Sequence, residues 1–400
     1  MRHSFLPVLL LLLMVLSCGR MADDEIPYWL SDYQDLYKES PRKAAQSWFS
    51  DAGSGMFVHL NLASLCEYGK ADYLLWAKGE APDRLLDYVG ISRPVYEKAE
   101  NLDSLLFTRY LLPEFDAAKI CQLAVDAKMK YITFTTQHLG RCYNFNTAVS
   151  DFNSMKAPMQ RHLVKELAEA CREHNLALFL YVPPEFAKTS PDRRELNFQV
   201  LEELLTGYGP IGGIWFDGIG DYYRQPENYT RLSETYDFVR SLQPHCLISF
   251  KEGATGEEDF LSPEHFMLPF EYEFDTPGRQ ERYQIRVDRW FGKHRNDIRW
   301  EQFGQFKLRE VNTVMQECNG RDALHVPSGW INDESARHWT DQEVYYWLSY
   351  SRRTGSNMLM NIGPRADGSI HPDDEKALTM LGQMIEEDGW PPMLNEVSID

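Results

Sequence analysis

The sequence predicts an α/β domain of (β/α)₈ type, a parallel barrel jacketed by helices. Three observations predict it. Apolar strands alternate with helix-period segments from Phe115 onward. The strands are near-continuous apolar runs, as strands covered on both faces must be. Several of them also end on a polar or ionisable residue, namely His59, His138, Tyr181, Asp217, Lys251 with Glu252, and Asn361. A barrel gathers such residues on the face formed by its strand C-termini, where catalytic groups sit. A doubly wound sheet is the alternative, but no GxGxxG follows a strand.

In order, residues 26–50 read as an exposed lead-in helix region ending in Trp48-Phe49. Met56–Leu60 is the first strand. Asn61 to Pro113 is irregular and rich in Tyr and Asp, a long insertion of the kind that builds a cleft. Phe115–Lys128 repeats apolar residues at helical spacing, and Tyr131–Thr136 follows as a strand. Arg161–His174 is a helix, and Leu176–Val182 is a buried strand closed by Pro183-Pro184. Arg194–Thr206 is a helix, Gly212–Phe216 a strand, Tyr229–Leu242 a helix and Cys246–Lys251 a strand. Between 252 and 330 the strand-like pieces are His265–Phe274 and Ala323–Val326. Thr340 and Glu343 form a capping box at the start of a late helix. Met358–Ile362 is the last strand and Asp373–Glu387 the last helix, ended by Gly389.

The chain of 400 residues carries 41 basic and 60 acidic side chains, for a net charge of −19. No basic cluster offsets this, which argues against nucleic acid and anionic membrane surfaces as partners. The N-terminus has a basic start at Arg2 and an apolar run from Leu6 to Leu16, too short to span a bilayer. Val15-Leu16-Ser17-Cys18-Gly19 resembles a bacterial lipobox. The expectation is an exported lipoprotein, periplasmic or outer-membrane anchored. Residues 1–18 are its signal peptide, with Cys18 lipidated, residues 19–47 a tether and lead-in, and 48–400 the catalytic barrel. The remaining cysteines show no CxxC spacing, and Cys121, Cys171 and Cys246 fall in apolar patterns that predict buried free thiols.

The most informative stretch is Tyr208–Asp221. A short buried strand delivers one acid, Asp217, and Gly218 ends it at once. Hydrolysis of a glycoside needs two carboxyl groups flanking the scissile bond. Asp217 is the first. Glu252, Glu257, Glu258, Asp259, Glu264, Glu271 and Glu273 are candidates for the second, and spacing does not choose among them. Scattered histidines without HxH or HExxH predict no metal site, and no cofactor is expected.

From Trp48 to Gly389 the chain resembles the α-L-fucosidases of glycoside hydrolase family 29. The segments that carry the resemblance are Gly55–His59, Phe115–His138, Asp151–Ser154 with Arg161–Leu167, Tyr208–Gly218, Asp259–Glu264 and Asn361–Gly368. Of these, Ile214-Trp215-Phe216-Asp217-Gly218 is the most specific. The resemblance implies a (β/α)₈-like barrel and a retaining exo-glycosidase acting on terminal α-L-fucosyl groups of glycans. Asp217 would be the nucleophile and Glu264 the acid/base, roughly 5–5.5 Å apart with pKa values pushed apart. Trp215 would wall the sugar pocket. His59 and His138 would bond ring hydroxyls, Tyr181 would line the pocket, and Lys251 stands where the family often has an arginine.

The chain departs from the family pattern in groups that read the sugar. Leu60-Asn61 follow the first histidine in place of Trp-Gly, Leu139 replaces the second imidazole of a histidine pair, and Ala71-Asp72 stand where a Glu-Trp pair is usual. Glu67, Asp72 or Trp76 could substitute. A shifted sugar specificity such as α-L-galactoside, or a glycan-binding barrel without turnover, are the alternatives, with a metal-dependent hydrolase third. The chain stops shortly after its last barrel helix, so the resemblance's C-terminal β-sandwich is expected to be absent.

Overall fold

A computed structural model describes residues 26–69, 81, 83–99, 101–138, 141–183, 191–217, 228–251, 255–262, 308–316, 329–353 and 355–393. Eight parallel strands close into a barrel in chain order. They are β1 Ser54–Val58, β2 Tyr131–Thr135, β3 Ala177–Val182, β4 Gly213–Phe216, β5 Leu247–Phe250, β6 Phe260–Leu261, β7 Leu308–Val314 and β8 Asn357–Ile362. The last strand pairs with the first, Ser54 opposite Met358.

Six of these strands agree with the sequence expectations to within two residues. Two do not. The sixth and seventh strands are Phe260–Leu261 and Leu308–Val314, and the barrel closes without His265–Phe274 or Ala323–Val326. Both of those segments lie outside the described residues. The reason is legible in the residues. Strand β6 is two residues long, and β7 turns Glu310 and Asn312 inward, so neither shows an apolar run.

Among the described residues the α-helices are α1 Gln34–Glu39, α2 Pro41–Ala52, α3 Asp83–Tyr88, α4 Arg93–Lys98, α5 Leu102–Phe107, α6 Ala117–Asp126, α7 Leu163–Glu173, α8 Pro191–Gly207, α9 Asn228–Leu242, α10 Asp341–Arg353 and α11 Pro372–Asp388. Helices α3, α4 and α5 fill the long insertion after β1. Thr340 caps α10 reciprocally: its N–H donates to Glu343 Oε2 at 2.9 Å, and Glu343 N–H donates to Thr340 Oγ1 at 3.3 Å. Among the described residues no helix is long and apolar enough to cross a membrane. The five described cysteines are buried free thiols, with the sulfurs of Cys121 and Cys171 3.8 Å apart.

Strand alternation sorts the apolar residues into two cores. Met56, Ile132, Leu178, Ile214, Ile248 and Met358 face outward under the helices. Phe57, Tyr131, Phe179, Trp215, Phe260 and Leu359 face the barrel axis. Helix α2 plugs the N-terminal mouth: Phe49 packs on Phe260 at 4.4 Å between ring centroids, and Trp48 stacks on Phe179 at 6.4 Å. Buried Asn357 stitches that plug to β8, donating to Phe49 O and accepting from Gly53 N–H. Gly53, at φ +75°, ends α2 and turns the chain into β1. The lead-in is therefore not the exposed region that its sequence suggests. Trp29, Leu30, Ala44 and Ala45 are buried, because an open barrel end would leave the ring layer of Tyr131, Phe179 and Phe260 in water.

Candidate active site

Asp217 is the first residue after β4 and stands at the C-terminal mouth. Tyr181, near the end of β3, donates its hydroxyl to Asp217 Oδ2 at 2.7 Å. Lys251, the residue after β5, places Nζ 2.6 Å from Asp217 Oδ1. Lys251 does so from the left-handed region, at φ +44°, a conformation uncommon outside glycine. A carboxylate gripped on both oxygens, on one of them by a cation, is fixed in orientation.

Under this group lies Trp215. Its ring is 1% exposed and stacks on Tyr181 at 5.5 Å and 22°. Lys251 Nζ sits 6.0 Å from the Trp215 ring centroid, within cation–π range. Trp215 thus packs against the two residues, Tyr181 and Lys251, that hold Asp217. Gly213 precedes Trp215 on the same inward face and makes room for the neighbouring Phe179 ring, which a Cβ there would meet at 2.5 Å.

The two predicted histidines come together. His59 and His138 meet edge to face at 4.3 Å between centroids, and both approach the Tyr181 ring, at 5.8 and 5.5 Å. His59 is buried, and among the described residues neither ring nitrogen has a hydrogen-bond partner. Burial, with His138 and Lys251 beside it, holds its pKa well below the usual histidine value. A neutral imidazole with one donor and one acceptor unengaged suits a hydroxyl-rich ligand.

Of the seven candidates for the second carboxyl, the structure accounts for three. Asp259 precedes β6 at the opposite end of the barrel, where it pairs with Arg42 at 2.5 Å and Arg240 at 3.3 Å. Glu258 is buried against Tyr236 and the amides of Thr255 and Gly256. Glu257 accepts from Ser233. These are structural bonds at the N-terminal end. Glu252, Glu264, Glu271 and Glu273 lie outside the described residues, as do Cys18, Ala71, Asp72, Trp76 and Leu139.

Two departures from the family pattern have structural duties here. The Leu60 side chain is buried, and its amide donates to Thr135 Oγ1 at 2.9 Å. Asn61 caps the turn at Leu62–Cys66, accepting from Ala63 N–H at 2.7 Å. Glu67, one of the three candidate substitutes, accepts from Tyr88 and from Ala366 N–H, so it holds the loop after β8.

Sequence reasoning missed two residues. Trp330 is half-buried at the mouth, its ring 5.5 Å from His59. It lies outside any regular strand, so no periodicity marks it. Glu310 on β7 is fully buried inside the barrel, where it accepts from Tyr131, from Trp215 Nε1 at 3.2 Å and from Ser262 Oγ at 2.6 Å. Burial pushes its pKa up to about 7, against the pull of those three donors. Its signal was an acid at the inward position of an unrecognised strand.

One further cluster could concern a metal. Among the described residues, His338, His371 and Asp374 each bring a ligand atom within 4.8 Å of the others. However, the two rings stack at 3.8 Å and 9°. An imidazole binds a metal in its ring plane, so one ion cannot lie in both parallel planes. His338 Nδ1 instead meets Asp374 Oδ1 at 2.5 Å, a carboxylate–imidazole pair at the start of α11.

Comparison with known proteins agrees with this fold. Residues 28–390 match the family model described as Alpha-L-fucosidase, which extends the family region through the lead-in helices. The plasma alpha-L-fucosidase of Rattus norvegicus is 24% identical over 376 residues, covering 89% of this chain and 72% of the relative. The tissue alpha-L-fucosidase of Macaca fascicularis is 25% identical over 390 residues, covering 95% and 75%. Alpha-L-fucosidase AlfC from Lactobacillus casei, solved with alpha-L-fucose product, superposes with a TM-score of 0.59 at 20% identity, covering 86% of this chain and 98% of that one. Isoenzyme 1 from Paenibacillus thiaminolyticus gives 0.61 at 20% identity, covering 90% and 80%. With its closed barrel and a family match over nearly all described residues, this chain belongs to the alpha-L-fucosidase family of glycoside hydrolases.

Proposed function

We propose that the protein is a retaining exo-α-L-fucosidase that removes terminal α-L-fucosyl groups from glycans by double displacement. The observation that carries this reading is the double grip on Asp217, with Lys251 on one oxygen and Tyr181 on the other. An ionised, oriented carboxylate at a barrel mouth is what attack on an anomeric carbon requires. In the first step Asp217 bonds to the anomeric carbon while Glu264, the family-pattern acid, gives its proton to the departing oxygen. In the second step Glu264 takes a proton from water, and that water displaces Asp217 with a second inversion. His59, His138 and Trp330 surround the ring hydroxyls, and Trp215 forms the floor.

Asp217→Asn tests the reading directly. Turnover of 4-nitrophenyl α-L-fucoside is expected to vanish, and external azide is expected to restore some as a glycosyl azide. Full activity in that variant sinks the assignment. Proton NMR of the first-formed sugar tests retention, since inversion at the anomeric centre excludes a glycosyl-enzyme.

A shifted sugar specificity is the second reading, favoured by Leu60 and Asn61 being engaged in backbone bonds. A panel of aryl α-L-fucoside, α-L-galactoside and β-D-galactoside decides between them. We further propose that the enzyme is an exported lipoprotein, on the strength of the lipobox-like Leu16-Ser17-Cys18-Gly19. Labelled palmitate incorporation that is lost in Cys18→Ala supports this, and incorporation that persists overturns it.

A further inference from the structure

Glu310 has no step in that chemistry, yet the barrel keeps a carboxyl at its centre. Burying a carboxyl is costly unless its oxygens are satisfied, whereas an apolar side chain of similar volume would fill the space without that cost. Here both oxygens are satisfied, by donors from two strands and from the residue that follows a third. Tyr131 on β2 holds one oxygen. Trp215 Nε1 on β4, at 3.2 Å, and Ser262 Oγ after β6, at 2.6 Å, share the other. Each donor leads onward. The Trp215 ring supports Tyr181 at 5.5 Å, and Tyr181 holds Asp217 at 2.7 Å. Ser262 stands two positions before Glu264 in the sequence. Tyr131 fits its place only because Gly55 faces it, since a Cβ there would meet the Tyr131 ring at 2.4 Å.

We infer that Glu310 is a positioning residue for glycoside cleavage, a buried hub that fixes the Trp215 indole under Tyr181 and Asp217 and ties β4 to the end of β6. The inference rests on the reading of Asp217 as nucleophile. Glu310 touches no substrate. It acts through the orientation of Trp215, so its removal misplaces Asp217 relative to the anomeric carbon without emptying the sugar pocket.

A double-mutant cycle on the full chain tests this, using 4-nitrophenyl α-L-fucoside and the variants Glu310→Leu, Glu310→Gln, Trp215→Phe and the paired changes. Glu310→Leu is expected to lower kcat by roughly 10- to 100-fold, the scale of a small misplacement at a reacting centre, with KM within about twofold. Glu310→Gln keeps one carbonyl acceptor and is expected to recover part of that loss. In the Trp215→Phe background the indole N–H is gone, so Glu310→Leu is expected to cost well under its single-variant loss. Additive losses, or a loss carried by KM, overturn the inference. If Glu310→Leu does not fold, Glu310→Gln carries the same cycle. An inactive wild-type chain sinks the Asp217 reading and this inference together, whereas an active wild-type chain with additive losses sinks this inference alone.

Discussion

Lys251 and Tyr181 grip opposite oxygens of Asp217, at 2.6 Å and 2.7 Å. The two bonds do different work, because one partner is charged and the other neutral. Lys251→Met keeps the aliphatic stem and removes the cation. Turnover of an aryl α-L-fucoside is expected to fall by about 100-fold, and Tyr181→Phe by about 10-fold, as a hydrogen bond to a charged group is worth about 1.5–3 kcal/mol. Single-turnover kinetics of aglycone release check both. Equal losses in the two variants would show that charge contributes nothing beyond geometry.

His59 is held neutral by burial and by His138 and Lys251. The unfolded chain takes up its proton near pH 6.5, and the folded chain resists it. Its contribution to stability is therefore present above about pH 6.5 and lost as pH falls below that. Urea unfolding between pH 7 and pH 5 is expected to show a shallower loss for His59→Phe than for wild type. The same variant is expected to raise KM by about 10-fold, since a lost pocket hydrogen bond weakens sugar binding.

Glu310 shifts the other way. Its folded pKa of about 7 exceeds the unfolded carboxyl value, so the folded state holds the proton more tightly. Stability is expected to decline as pH rises from about 4.5 to 7, by on the order of 3 kcal/mol, and to level off above. Tyr131 is the titratable group bonded to it. Glu310→Gln is expected to flatten that slope in urea titrations, and an unchanged slope would assign it to other groups.

His338 and Asp374 make a buried pair at the start of α11. Burial pulls the His338 pKa down, but the hydrogen bond and charge of Asp374 outweigh it and raise the value. The His338 contribution is therefore complete below about pH 6.5 and lost as pH climbs through the raised value, while burial also raises the Asp374 carboxyl above its usual value. Asp374→Asn is expected to cost about 3–5 kcal/mol at pH 6 and less at pH 9, measured by chemical unfolding. His371, whose ring stacks on His338, is lowered by burial and by that neighbouring charge.

Gly382 in α11 packs directly on the backbone of α6, and a Cβ there would fall on the Asp126 carbonyl oxygen. Backbone cannot rotate away as a side chain can. Gly382→Ala is therefore expected to destabilise by about 1–3 kcal/mol, despite the better helix propensity of alanine. A melting temperature equal to wild type would mean that the two helices separate freely.

Much of the fold was legible because its signals are local. The outward residues of β2, β3, β4 and β5 form apolar runs, and α6, α7 and α11 show a clean helical period. Strands β6 and β7 were not legible. One is too short for a pattern, and the other carries its polar residues inward, which reverses the usual sign. The lead-in was misjudged for a related reason. Trp29 and Leu30 sit in a short, mixed segment whose burial depends on an open barrel end that sequence periodicity does not reveal.

At the site, the sequence alone determined the chemistry available. It placed Asp217, Tyr181, Lys251 and the two histidines at strand ends, because strand termination is written in local residues. Only the tertiary structure decided what those groups are to one another. Lys251 pairs with Asp217 from the next strand of the barrel, Trp215 lies beneath the site, and Glu310 reaches it from 95 residues away to hold the indole. The reason is closure. A barrel joins its first strand to its last and turns alternate side chains toward one axis, so partners are chosen by register and inward direction, which no stretch of sequence carries by itself.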